Sequence, residues 1–558
     1  MAYERYKTAS AMAQGQKLAS LVLKNAKVLD VYNEEWINAD VAIHDGVIIG
    51  VGNYNGVKEI ECKGKYIVPG FIDAHLHLES TLVNPRELVF EAAKVGTTTF
   101  VVDPHEAANV AGLAGVQYML KETEDCQATV YVMAPSCVPA VPGEDSGAIL
   151  DAAELRKLKV HPRIRGLGEV MDCQRVITGD DGMMAKLRDF EDRVMDGHII
   201  GLTEKQLAAY ALAGITTNHE AVSYEEAKAQ VAAGIYVFIR EGSAAHNLET
   251  IVQGLVAAKA PTDRYGFCTD DKHIEDIRSR GHISENIRKA IELGIPTVKA
   301  YKMASTNPAQ CYGFKHLGAV APGKQADLVL LSNPNTVKIY DVLIKGEPVE
   351  LELQRKPREV PMELLHTVHI GNFTKQRLSL PIDGPHPVIN IVPGQLLTTK
   401  TIEQVPSENG EFVPNGKFNK ITCIERHHGT GRNGVAVLKG FSIKNGAIAT
   451  SFAHDAHNLI VVGDNDNDMM AAIDRIRTIG GGYVIASCGK IIAELPLEVM
   501  GLITNRPHEE VDAKVKAMKE LAYSMGVSRK LDPFINLSFL ALTVIPEIRV
   551  TTHGLAAV

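Results

Sequence analysis

Eight short apolar runs between residues 70 and 271, separated by helix-like segments, constrain this chain more than any other feature. They are "GFIDAHLH", "TTTFVVDPH", "TVYVMAP", "IRGLGEV", "RVMDGH", "GITTNHE", "GIYVFIREG" and "YGFCTDD". Strands that alternate with helices build a parallel sheet. Eight such units over roughly 240 residues match a closed (β/α)8 barrel of the TIM type. Most of the runs finish in His, Asp or Glu, and a barrel gathers its strand ends at one mouth. A doubly wound sheet gives no reason for polar endings all round.

The flanks differ in texture. Residues 20 to 66 carry short apolar runs broken by turns, with Asp45-Gly46 and Asn55-Gly56 as hairpin signals. "GAVAPGKQADLVLLSN" and "KIYDVLIKGEPVE", after the barrel, read as strands that complete the same small sheet. The sequence therefore divides into an α/β arrangement of three parts. Residues 1–70 with 306–360 form a small β-sandwich built from both sides of the barrel. Residues 71–305 form the barrel, and 361–558 an α+β C-terminal domain. Within the last, "GDNDNDMMAA" reads as a turn entering a helix, since it lacks the twelve-residue calcium loop. "GGGYVIASCGK" reads as a helix end and a strand start, since it lacks the Walker spacing.

The polar strand ends suggest chemistry. In a strand, residues i and i+2 share a face, so His75 and His77 can grip one ion, with Asp73 one layer deeper. Alone, such a pair is equally compatible with two packed histidines. Glu169, His198, His219 and Asp270 close four further strands, and packing has no reason to place six such groups at one rim. Imidazole and carboxylate suit zinc, iron or manganese. One carboxylate could bridge two ions with two histidines on each.

"PGFIDAHLH" resembles the opening motif of the amidohydrolases, metal-dependent hydrolases on a (β/α)8 barrel, and "GAVAPGKQADLVLL" resembles their closing segment. Over most of the chain the resemblance is to the bacterial adenine deaminase family. It is carried by "HLHLESTL", "DPHEAANVAG", "GLGEVM", "DGHIIGLTEKQLAAYALAGI", "REGSAAHNL", "CTDDKH", "ERHHGTG" and "HDAHN". The resemblance implies hydrolytic deamination of adenine to hypoxanthine and ammonia in purine salvage. It implies two divalent ions, Mn2+ or Fe2+, although the donor set would also accept Zn2+. His75, His77 and Asp270 would bind one ion, His198 and His219 the other, and Glu169 would bridge. Asp270, Glu169 and His219 are the expected catalytic groups, with Asp270 moving the proton. Glu79, Glu106, Arg240 and Ser243 are candidates for substrate binding, with Asp103, His105, Glu241, Asp271, Lys272 and His273 beside them. Glu79 and Glu106 serve equally well as loop or helix-capping groups. One departure from the family pattern is Asn218, where Asp is expected before His219; a change of polarity around the metals follows from it.

Other readings are weaker. "HLE" at 77–79 satisfies half of the cytidine-type zinc deaminase signature, but the PCxxC half is absent. A net charge of -9 gives no basic surface for nucleic acid or anionic lipid. Eight scattered cysteines without a CxxC fit reduced thiols, and no apolar run reaches membrane-spanning length, so a cytoplasmic protein is expected. A homo-oligomer is the ordinary expectation for such an enzyme. The alternative substrates are an N6-substituted adenine or a cyclic amide; the alternative class is a metal-holding scaffold without turnover. Glu425, His427, His428, His454, Asp455 and His457 read first as a polar domain interface, with a further metal site as the alternative.

Overall fold

The computed structural model of the chain describes residues 3–243, 245–349, 356–392 and 396–558. Residues 350–355, which the sequence reading groups with the small β unit, lie outside the described residues, as does Ala244 of "REGSAAHNL". No helix among the described residues is long and apolar enough to cross a membrane.

All eight apolar runs form strands of one parallel sheet in sequential order. They are β1 (Phe71–Leu76), β2 (Thr97–Val102), β3 (Thr129–Ala134), β4 (Ile164–Val170), β5 (Val194–Gly197), β6 (Thr217–Asn218), β7 (Tyr236–Arg240) and β8 (Tyr265–Cys268). A parallel bridge between Leu76 and Asp270 closes the ring. The seam has few ladder bonds, and Asp73 reinforces it. Its carboxylate accepts from the Thr269 hydroxyl at 2.5 Å and the Thr269 amide at 3.2 Å. Helices between the strands start where short polar side chains cap them. Asn84, Asp151, Asp180 and Ser223 each accept a backbone N–H of the first turn, and Thr203 with Gln206 forms a capping box.

The barrel is plugged at the bottom. Ile72, Ala74, Val101, Met133, Phe238 and Cys268 pack against Ala309, Tyr312, Phe314 and Leu317. The Tyr312 ring stacks on Phe238 at 5.9 Å and on Phe314 at 5.5 Å, and its hydroxyl donates to the Ala74 carbonyl at 2.8 Å. Residues 306–317, placed by sequence in the small β unit, therefore pack under the barrel. Their aromatic rings fill the taper that the strands leave open. The bottom is packed with apolar side chains, which leaves the polar strand ends at the opposite mouth.

The strands flanking the barrel join into one eight-stranded sheet, in which 66–69 pairs antiparallel with 328–331. Asp45-Gly46 makes the expected hairpin, both residues having positive φ. Asn55-Gly56 does not: the strand Gly56–Glu61 leaves the hairpin and pairs in parallel with Ala19–Asp30. A Cβ on Gly56 would stand 2.8 Å from Val22 Cγ2, so the glycine there serves close approach rather than a turn.

A third sheet of eight strands spans 386–496. The helix Asp466–Ile479 opens on Asn465, which accepts from the Asp468 amide, and ends on Gly480 at φ 78°. The "GDNDN" stretch thus starts a helix, as its lack of a full calcium pattern implies. This domain lies against the barrel mouth. His508 Nδ1 is 2.6 Å from Glu87 Oε2, Arg278 pairs with Asp512 at 2.8 Å, and Asn458 donates to the Asp145 carbonyl at 2.7 Å.

Lys272 shows how the interior beside the mouth is held. It is buried, pairs with buried Glu285 at 2.6 Å and donates to the Glu241 carbonyl at 3.1 Å. It is therefore a structural neighbour of Asp270. Lys272→Ala leaves Glu285 buried with only peripheral cations, and is expected to destabilise the fold by about 3–5 kcal/mol. Urea unfolding followed by far-ultraviolet circular dichroism measures this. The double change Lys272→Met with Glu285→Leu should recover most of the loss.

Candidate metal centre at the barrel mouth

Alternation along β1 turns Asp73, His75 and His77 to the barrel axis. His77 Nδ1 donates to the Asp103 carbonyl at 2.8 Å, which can only accept, so Nε2 keeps its lone pair. His75 Nδ1 lies 2.7 Å from Asp196 Oδ2, which orients that ring the same way. The two Nε2 atoms then face one point, 3.1 Å apart. Glu169 Oε1 stands 3.0 Å from each of them, and Asp270 Oδ1 is 3.1 Å from His77 Nε2 and 3.7 Å from His75 Nε2.

The other Glu169 oxygen faces a second group. Oε2 is 2.8 Å from His198 Nδ1 and 3.7 Å from His219 Nε2. The His219 ring stacks on His75 with centroids 3.8 Å apart, and its Nδ1 is 3.9 Å from Asp196 Oδ1. The other five groups named by the sequence therefore converge on the Glu169 carboxylate, and all six are buried.

The donor set fits divalent cations. Glu169 Oε1 and His219 Nε2 are buried without a hydrogen-bond partner among the described residues. Buried polar atoms are rarely left so unless something else satisfies them. Burial would push the Glu169 carboxyl up, yet the surrounding imidazoles of His219, His198, His75 and His77 hold it well below the usual range. Asp270 is depressed in the same way: His77, Arg240 and His219 outweigh its burial. Both are therefore carboxylates at neutral pH, the form that can offer an oxygen to a cation.

The local fold makes Glu169 rigid. Its amide donates to Asp103 Oδ2 at 2.8 Å, and Ser136 Oγ donates to its carbonyl at 2.5 Å. A Cβ on Gly168 would meet Asp103 Oδ2 at 2.2 Å, so only glycine lets Asp103 sit there. Asp270 has φ 57°, a left-handed conformation unusual for a side-chain-bearing residue, where the strand turns to close the ring.

Comparisons with known proteins show the family. Residues 66–349 match the Amidohydrolase family, and residues 395–558 match the adenine deaminase C-terminal domain. An adenine deaminase of Desulfitobacterium hafniense (strain Y51) is 48% identical over 550 residues, 98% of this chain and 97% of its own. One from Bacillus pumilus (strain SAFR-032) is 42% identical over 98% of this chain and 96% of its own. The chain belongs to the adenine deaminase family. A solved structure of an adenine deaminase aligns with a TM-score of 0.46 at 16% identity, covering 59% of this chain and 99% of that one.

The remaining residues sort by position in this family member. Arg240 reaches the centre: its Nη1 is 2.9 Å from Asp270 Oδ2 and 2.5 Å from Glu220 Oε1. Glu220 was not singled out from sequence, although it directly follows His219. Its Oε1 lies 3.7 Å from His198 Nδ1. Asp196 was also missed. It sits two residues before His198 on β5, and the same alternation that marks Asp73 would have marked it.

Other candidates turn elsewhere. Ser243 hydrogen-bonds Asp276 and accepts from the His273 amide at 2.8 Å, so it points away from the metals. Glu241 pairs with His246 at 2.9 Å and Lys289 at 2.6 Å. Glu79 accepts from the Ala107 amide at 3.1 Å; burial and the adjacent Glu106 push its carboxyl up to about 8. Glu106 lies beneath His77, with Oε2 3.4 Å from its Nδ1. Asn218 accepts from the Ile199 amide at 2.8 Å and donates to Gln230 at 2.9 Å. As the strand neighbour of His219 it faces the other side. Asn218 thus serves as a backbone anchor, so the expected change of polarity at the centre does not follow from its contacts.

The C-terminal domain roofs the cavity over the centre. Leu396, His454, Asp455, Phe539, Leu542 and Ile545 face His77, His105, Arg240, Asp270 and Asp271 across it. Asp196→Asn is expected to lower metal affinity about 10–100-fold, because the carboxylate orients the His75 imidazole. Competition with a chelator of known affinity measures it.

Proposed function

We propose that the chain hydrolyses adenine to hypoxanthine and ammonia with Mn2+ or Fe2+, which His75, His77, Glu169, His198, His219 and Asp270 would hold. The observation that carries this reading is the division of the Glu169 oxygens between two histidine groups, with Asp270 at the edge of a roofed cavity. Near-full-length identity to adenine deaminases supports the substrate. Cations held there would make water acidic enough to attack at neutral pH.

The side chains supply the rest. Asp270 is held as a carboxylate and stands where it can accept a proton from the attacking water and pass it to the departing amine. The oxygen of water ends on C6, and the exocyclic nitrogen leaves as ammonia. Arg240 fixes the second Asp270 oxygen, so the first stays aimed at the reacting centre. Arg240, Glu220 and Asp271 are the groups we assign to the purine edge, since acids and a guanidinium match its N–H donors and ring-nitrogen acceptors. The roof, in which Leu396, Phe539, Leu542 and Ile545 supply the apolar part, shields the reaction from bulk water. We place the enzyme in purine salvage, in a cytoplasmic compartment that keeps its free cysteines reduced. We further propose a homo-oligomer, which light scattering after size-exclusion chromatography tests.

Metal-free protein, loaded anaerobically with Mn2+ or Fe2+, should release ammonia from adenine far faster than from adenosine, N6-methyladenine or hydantoin. Chelation should abolish this, and re-addition restore it. Preferred turnover of any of the other three would overturn the assignment of substrate.

A further inference from the structure

Beside the centre lies a second cluster that none of the steps above uses. It joins two residues at the start of helix His105–Glu122 with two from the C-terminal domain. His105 Nε2 is 3.7 Å from Glu106 Oε1 and 3.6 Å from Asp455 Oδ1. His454 Nδ1 is 3.7 Å from Glu106 Oε1 and 3.8 Å from Asp455 Oδ1. The four atoms form a closed ring in which nitrogen and oxygen alternate. The ligand atoms of His105, His454 and Asp455 all lie within 4.8 Å of one another.

These spacings identify what belongs between them. A proton shared by histidine and carboxylate draws the heavy atoms to about 2.7–2.9 Å. Such pairs exist in this molecule: His508 to Glu87 at 2.6 Å, His246 to Glu241 at 2.9 Å. None of the four contacts in the ring is that short. A tetrahedral ion with bonds of about 2.0–2.2 Å instead sets its ligands about 3.3–3.6 Å apart. The four sides of the ring, at 3.6–3.8 Å, are close to that size. Glu106 supplies an independent sign: it is fully buried, and neither of its oxygens has a hydrogen-bond partner among the described residues. Two carboxylates and two neutral imidazoles carry a charge that one divalent cation cancels.

We infer that His105, Glu106, His454 and Asp455 bind a further divalent cation, separate from the ions at Glu169, which clamps the C-terminal domain onto the barrel mouth. The ligands are two nitrogens and two oxygens, a set suited to zinc, and accepted by iron or manganese. Both domains contribute a pair, so the site exists only when they are docked. The donors of His105, His454 and Asp455 lie within 4.8 Å of one another, and Glu106 Oε1 stands 3.7 Å from both histidines; four protein donors would leave no open position, as in a structural rather than a catalytic site.

The test is a crystal of the wild-type holoenzyme loaded with Zn2+ or Mn2+, with diffraction collected on both sides of that metal's absorption edge. An anomalous peak is expected within bonding distance of the four atoms, in addition to density at Glu169. Density at Glu169 without a peak in the ring overturns the inference while leaving the proposed reaction intact. In solution, Asp455→Asn and His454→Gln should each lower bound metal by one equivalent per chain after equilibrium dialysis. The double variant should lose no more than either alone. Wild type and both variants binding equal metal overturns the site as well.

Discussion

Asp270→Asn is expected to lower kcat for adenine by about 10²–10⁴-fold, the range for removing a positioned acid–base group. The carboxamide keeps the shape and one oxygen to offer to the His75–His77 position, but it cannot take a proton. Arg240 would still pair with Glu220 at 2.5 Å, so the guanidinium is not stranded. The substitution should therefore spare folding and most of the metal. Bound metal, KM and kcat measured on one preparation separate these effects. A variant that holds its metal and turns over within threefold of wild type would remove Asp270 from proton transfer. One that loses all its metal would show a ligand role only. Arg240→Met is a useful companion. It leaves two buried carboxylates facing each other without their cation, and should cost both stability and the alignment of Asp270.

The sequence made the barrel legible because each strand is a short apolar run, and parallel barrel strands are buried on both faces. β1, β2 and β4 show this burial along nearly their whole length. The six groups gathered at the barrel mouth were legible for a second reason: polar residues at the ends of such runs have no packing role, so they stood out. Asp196 and Glu220 escaped notice because they share those ends with histidines already taken as ligands. Ser243 misled because proximity to a strand end in sequence does not fix where a side chain turns. A hydrogen bond to Asp276, 33 residues on, decides that. Residues 306–317 were misplaced because a plug under the barrel has no period of its own; its rings are explained only by the taper they fill. The ring of His105, Glu106, His454 and Asp455 lay beyond sequence reasoning altogether. Its two halves are separated by more than three hundred residues, and nothing but domain docking brings them together.

Glu169→Gln should cut adenine turnover by more than about 100-fold, beyond what the loss of a supporting carboxylate such as Asp196 costs. The reason lies in the division of its two oxygens. Oε1 serves the His75–His77 side at 3.0 Å, and Oε2 serves His198 at 2.8 Å. An amide has one oxygen. Whichever side receives the NH2 group meets imidazole nitrogens without a shared anion, and a cation there loses both a ligand and the charge that offsets it. Bound metal is expected to fall by at least one equivalent per chain, and the remaining ion should bind more weakly. The fold should survive, because Asp103 and Ser136 hold Glu169 through its backbone rather than its side chain. Circular dichroism would then match wild type while elemental analysis does not. Full metal content with turnover within tenfold of wild type would mean that the two histidine groups do not depend on one carboxylate, and the shared-ligand arrangement would have to be given up.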